Sequence, residues 1–325
     1  MSDNLNNKIW LIGSGPMAVD YAKVLCAMNF PFSVIGRGET SAKAFYDKTG
    51  VEVITGGLEK ALGKFAKPHS AIVSTGIDEL ASSAQLLMDY GVNKILLEKP
   101  GIAEPSEINS LVEKSKQTNS TVVLAYNRRF YASVRKAKEI IKQDGGVVSF
   151  NFEFTEWSHE IKNIKKSDII MHHWFLGNSS HVVDLAFYLG GRPKEISSFV
   201  KGGIDWHPSS SVFAGAGISE TGALFSYQAN WEAPGRWSVE MLTSKHRLIF
   251  RPMEKLQIQK IGSVAIDMVA DIDYTLDETY KPGLYLELNS FLKNDYTVFS
   301  TIQDQEKFMK QFYLEMAGYK QLENQ

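Results

Sequence analysis

The chain has 325 residues, 35 basic against 37 acidic side chains, a formal net charge of −2 and 44% hydrophobic residues. That length exceeds what one hydrophobic core usually holds, so two domains are expected. The near-balance of charge gives no general attraction to nucleic acid or to an anionic membrane, and a single cysteine, Cys26, excludes an internal disulfide framework and a cysteine-rich zinc site.

The first seven residues are polar and lack the basic start, apolar core and small-residue cleavage site of a signal peptide, so a cytoplasmic protein is expected. No apolar run approaches the roughly 20 residues that cross a bilayer. From residue 8 the chain alternates short β-branched runs with helical patterns. Strands are predicted over residues 8–12, 32–35, 51–54, 71–74, 94–97 and 121–125, and helices near 17–28, 40–48, 58–65, 79–90 and 106–118. Strands separated by helices are the signature of parallel pairing through crossovers, so the fold class is α/β, with an N-terminal Rossmann-type doubly wound parallel sheet over residues 1–125. Cys26 falls in the first of these helices and reads as buried.

Beyond Tyr126 the pattern changes. A basic helix over 131–143 precedes alternating runs at 147–154, 196–200, 222–229 and 236–242, interrupted by a helix over 179–189 and closed by an amphipathic helix over 303–319. These read as a C-terminal α+β domain, residues 126–325, on an open, mostly antiparallel sheet that binds substrate and joins subunits into a homodimer or homotetramer.

The most informative motif is Gly13-x-Gly15-x-x-Ala18, which leaves the first strand and, with Pro16 and Met17, opens the first helix. Gly13 permits a tight turn, Gly15 lets backbone approach a pyrophosphate, and Ala18 lets helix and strand sit close, so a dinucleotide is the expected cofactor. After the second strand the chain reads Gly36-Arg37-Gly38-Glu39-Thr40-Ser41. Arg37 offers a planar fork to a 2′-phosphate and Thr40 and Ser41 add hydroxyls, which favours NADP over NAD. The alternative is that Arg37 is a solvated charge and Glu39 takes the adenosine ribose of NAD.

The fifth strand ends in Glu98-Lys99-Pro100, at the carboxyl edge of the parallel sheet where ligands of such folds bind. With the glycine motif, the segment Tyr126-Asn127-Arg128-Arg129-Phe130 and the pair His181-x-x-Asp184, this triplet gives the chain a resemblance to the glucose-fructose oxidoreductase and inositol dehydrogenase (Gfo/Idh/MocA) family over nearly its whole length. The resemblance implies a nicotinamide cofactor touching Glu98 and Lys99, a sugar-like substrate, and catalysis by Lys99 and His181. The chemistry agrees: a neutral imidazole suits taking the carbinol proton, and a lysine suits stabilising alkoxide character as a hydride leaves. Asp184, one helical turn after His181, is expected to orient or charge-stabilise that ring. Many family members carry an acidic substrate ligand four residues before the histidine; here that position is Gly177, beside Asn178.

Asn127, Arg128, His173 and Asn178 complete the expected substrate contacts, with Arg128 and Arg129 placed to reach an anionic group. For His172 and His173 the alternative is a strand-end pair without a role. Adjacent histidines point in different directions, so no metal is expected. Lysines at 162–166 read as a solvated face rather than a nucleic-acid surface, and Trp174, Trp206, Trp231 and Trp237 read as core or as stacking surface for a sugar. Alternatives to a sugar oxidoreductase are a catalytically silent dinucleotide-binding regulator, an imine reductase, or an NAD-dependent glycosidase on the same fold.

Overall fold

The structure, a computed structural model, describes residues 9–319. The chain begins β1 (Ile9–Ile12), α1 (Pro16–Ala27), β2 (Phe32–Ile35), α2 (Glu39–Thr49), β3 (Val53–Ile54), α3 (Leu58–Leu62), β4 (Ser70–Val73), α4 (Leu80–Asp89), β5 (Lys94–Glu98), α5 (Glu107–Gln117) and β6 (Thr121–Ala125). There follow α6 (Ala132–Gln143), β7 (Ser149–Glu153), α7 (Ser158–Ile161), α8 (Asp168–His172), a π-turn (Phe175–Ser179) and α9 (Ser180–Gly190). Next come β8 (Pro193–Lys201), β9 (Val212–Ser219), β10 (Leu224–Asn230), β11 (Ser238–Leu242), β12 (His246–Phe250), β13 (Gln257–Lys260) and β14 (Asp267–Met268). The last elements are α10 (Thr275–Thr279), α11 (Leu284–Leu292), β15 (Ser300–Thr301), α12 (Ile302–Phe308), a π-turn (Met309–Tyr313) and α13 (Leu314–Ala317).

The contacts divide the chain into two units, Met1–Asn127 with Leu276–Glu306, and Arg128–Thr275 with Lys307–Gln325. A contiguous second domain from residue 126 was expected from the sequence; instead residues 276–306 belong with the first unit, where α11 packs on α1 and β15 pairs antiparallel with β6.

The first unit is a seven-stranded sheet in the order β15-β6-β5-β4-β1-β2-β3, parallel except for β15. Every residue of β1 and β4 is buried, as befits central strands covered on both faces. The reversal of strand order between β1 and β4 is the switch point at which such sheets bind ligands.

The second unit is an eight-stranded sheet, β14-β13-β12-β11-β7-β10-β9-β8, antiparallel except between β7 and β10. Strict alternation of buried and exposed residues along β10 shows one covered face. Phe150, Phe152, Phe225 and Tyr227 form a stacked aromatic layer on that face, with Phe187 of α9 set edge-on against three of them. The other face leaves Phe199 and Leu224 exposed. No helix among the described residues is long and apolar enough to cross a membrane. Cys26, expected to be buried, is exposed near the C-terminal end of α1, on the side away from the sheet.

Candidate active site

In the first unit the turn between β1 and α1 has the geometry its glycines imply. Gly13 has φ +110°, and a Cβ there would lie 2.6 Å from the Ser74 carbonyl oxygen, so no other residue fits. A Cβ at Gly15 would meet nothing within 4 Å, leaving open space over the backbone. Gly15 caps α1 without a side-chain bond, Pro16 begins the helix, and its first turn holds no acid. Uncapped N–H groups at the positive end of a 12-residue helix, next to that space, suit the pyrophosphate of a dinucleotide. Met17 lies in the first turn, and Ala18, fully buried, allows the close approach of helix and sheet.

Beyond the buried Gly36, residues Arg37, Gly38, Glu39, Thr40 and Ser41 are exposed. Ser41 Oγ donates to the Gly38 carbonyl at 3.0 Å and accepts from Ser14 Oγ at 3.0 Å, which joins the second loop to the glycine turn. Arg37, with 75% of its side chain exposed, pairs with Glu79; Glu39 and Thr40 begin α2.

At the end of β5, the Glu98 carboxylate accepts a 2.8 Å hydrogen bond from the phenol of Tyr21 in α1. Burial pushes the Glu98 carboxyl up, against the opposing pull of Lys99, the Tyr21 bond and Lys281; burial and the nearby Glu98 and Glu287 carboxylates hold the Tyr21 phenol well above its usual range. Lys99 is half-buried immediately after the strand. Gln305, next to the returning strand β15, bonds both the Tyr126 phenol and the Pro100 carbonyl, so the segment after Lys99 is braced from the far end of the sequence. Asn127, expected to bind substrate, is buried with its amide donating to the Pro282 carbonyl at 2.9 Å, which makes it a tie between chain segments.

In the second unit His181 lies in the first turn of α9, 8% exposed, its ring 6.4 Å from that of Trp237. The expectation that Asp184 attends His181 is corrected: Asp184 accepts from Arg129 Nε at 2.8 Å and Arg129 Nη2 at 2.5 Å, a bidentate pair with side chains only 2% and 6% exposed. Arg129, expected to reach an anionic group, is engaged by Asp184 instead. Arg128, one residue earlier, turns to Trp237, its guanidinium carbon 5.0 Å from the ring centroid.

Asn178 donates to both oxygens of Glu156 at 3.0 and 3.1 Å, and Ser179 Oγ donates to the same carboxylate at 2.7 Å. Glu156 is 1% exposed and no pattern in the sequence singled it out. His173 lies just past the end of α8 rather than on a strand; its Nδ1–H donates to the Ile169 carbonyl at 2.9 Å and its ring meets Tyr319 edge-on, a structural placement. Trp206 stacks on Trp231 at 5.4 Å and borders a cavity of about 590 Å³ that also takes in Lys162, Lys166 and His172, within the size range of ligand pockets. Among the described residues no cluster of three or more histidine, cysteine or acidic side chains is arranged to hold a metal.

With this geometry in hand, solved structures supply the comparison. A levoglucosan dehydrogenase in complex with NADH and L-sorbose superposes with a TM-score of 0.76 at 19% identity, covering 97% of each chain. The chain has the two-domain fold of these oxidoreductases. UDP-N-acetylglucosamine 3-dehydrogenase GnnA from Acidithiobacillus ferrooxidans matches at TM-score 0.68 and 14% identity over 94% of this chain and 95% of the other. The WlbA dehydrogenase from Chromobacterium violaceum, in complex with NADH and UDP-GlcNAcA, matches at 0.69 and 15% over 100% and 95%. No protein-family model and no curated protein matches the sequence.

Proposed function

We propose that the protein is an NAD(P)-dependent oxidoreductase of the Gfo/Idh/MocA type that transfers a hydride between nicotinamide and a carbinol or carbonyl of a sugar or sugar derivative. The observation that carries this reading is the β1–α1 turn: a glycine forced by contact with Ser74, a second beside open space, and an uncapped helix start. Solved neighbours with NADH bound and sugar ligands support it.

In this reading the first unit holds the cofactor and the second the substrate. The nicotinamide, when bound, supplies the hydride chemistry. Lys99 holds the substrate oxygen and stabilises its developing negative charge, while His181 takes the carbinol proton. Glu98, anchored by Tyr21, fixes the end of β5 from which Lys99 projects. Asp184 and Arg129 fix α9 and so place His181, a positioning role.

NADP is the proposed cofactor, through Arg37. Its surface pairing with Glu79 is worth at most about 1 kcal/mol and yields readily to a 2′-phosphate. The test is a panel of nucleotide sugars, free sugars and uronic acids, incubated with NAD⁺ and NADP⁺ in parallel while the absorbance of reduced nicotinamide is followed. Reduction with at least one sugar, faster with NADP⁺, supports the reading. Binding of neither dinucleotide removes it.

A further inference from the structure

Beside His181 the second unit holds an alternating ladder of cations and indoles. The Arg236 guanidinium carbon lies 4.5 Å from the Trp157 ring centroid and 4.9 Å from that of Trp237, and Arg128 reaches Trp237 at 5.0 Å. The Trp237 ring lies 6.4 Å from that of His181. Two guanidiniums thus share one indole next to the proposed base.

Neither has a direct acidic partner. Among the described residues no ion pair or side-chain hydrogen bond engages Arg128 or Arg236, and Arg128 Nε and Trp237 Nε1 are buried donors without an acceptor. Arg129, adjacent in sequence, shows the contrast, since its fork is filled by Asp184. Burial lowers the affinity of Arg128 for its proton and Arg236 adds repulsion, against the pull of Tyr131, Glu254 and Glu156. Glu156 is itself occupied by Asn178 and Ser179. What remains is a pair of guanidinium forks with no direct acceptor among the described side chains, held in shape by ring contacts, with Trp157 46% exposed at the outer end.

We infer that this ladder is an anion site for the substrate: the saccharide that His181 acts on carries a carboxylate or phosphate held by Arg236 and Arg128, with its sugar ring laid on Trp157. Guanidinium forks match both anions in a bidentate manner, and an indole face suits the apolar face of a pyranose. The inference rests on the proposed role of His181, and its test is separable from that role.

The experiment is calorimetric titration of the full chain, wild type and Arg236→Gln, with glucose, glucuronic acid, UDP-glucose and UDP, at low and high salt. Arg236 is exposed, so its replacement leaves the fold intact. At least one charged saccharide is expected to bind at least about tenfold more tightly than glucose. That advantage shrinks with salt and falls to about threefold or less in Arg236→Gln. A preference for glucuronic acid identifies a carboxylate, and one for UDP-glucose and UDP a phosphate. Equal binding of glucose and both charged saccharides, no binding of any charged ligand, or an advantage that survives Arg236→Gln overturns the inference. Anion-selective binding without hydride transfer to any sugar would sink the oxidoreductase reading and leave the anion site standing.

Discussion

The buried pair Arg129–Asp184 allows a test of what the acid in the second unit does. Removing Asp184 as Asp184→Ala leaves the Arg129 guanidinium, 6% exposed, without its two charge-assisted hydrogen bonds. Breaking such a pair from one side costs about 3–5 kcal/mol. The guanidinium keeps its contact with the Tyr188 ring at 4.8 Å, and a cavity of about 240 Å³ bordered by both partners gives water a route to it. Both favour the lower end, about 3 kcal/mol. With a urea m-value of about 3 kcal/mol/M the midpoint shifts down by about 1 M. Replacing both residues together, Arg129→Met with Asp184→Leu, recovers most of that loss, because no buried charge remains. Urea unfolding of the two single variants and the double variant gives the coupling energy. Singles that unfold within about 1 kcal/mol of wild type while turnover collapses would refute the structural role and return Asp184 to direct service at His181.

Three further outcomes follow from particular contacts. Gly13→Ala forces a Cβ to within 2.6 Å of the Ser74 oxygen at φ +110° and should lose about 1–3 kcal/mol of stability, whereas Gly15→Ala should fold normally yet bind dinucleotide more weakly; thermal unfolding and cofactor titration separate the two, and wild-type affinity in Gly15→Ala would contradict the cofactor placement. His207 is fully buried between the Ser210 carbonyl and the Tyr319 hydroxyl, and burial lowers its pKa to about 4. A depressed folded-state value means that the stabilisation is present above pH 6.5 and lost as pH falls toward 4, about 3 kcal/mol in all; urea midpoints across that window should fall in the wild type and much less in His207→Gln, and parallel curves would count against it. The uncovered face of the eight-stranded sheet, with Phe199 and Leu224 exposed, should make the protein a dimer or tetramer by light scattering at micromolar concentration, and a monomeric mass would argue otherwise.

The first unit was legible because its signals are local. Runs such as Ile9–Ile12 and Lys94–Glu98 carry the apolar composition of buried parallel strands, and the glycine turn lies between adjacent elements. What escaped depends on distant pairing. β15 is only two residues long and exists because it finds β6 about 175 residues earlier, so the return of 276–306 to the first unit left no periodic trace. The polar network was equally hidden. Asp184 meets Arg129 across 55 positions and Asn178 meets Glu156 across 22, whereas helical spacing suggested only the neighbour His181. Arg236, read only as the start of the run 236–242, was passed over as a site residue for the same reason, since it has no pattern until Arg128 and Trp157 are brought beside it.

The most direct measurement of the central claim is steady-state turnover of the wild type, Lys99→Ala and His181→Ala with the best sugar from the substrate panel, alongside the dissociation constant of each for NADP(H). Loss of a group that acts chiefly in the transition state should lower kcat about 10²–10⁴-fold while cofactor affinity stays within about threefold. A wild type that reduces no nicotinamide with any sugar, or variants that keep near-normal turnover, would contradict the account.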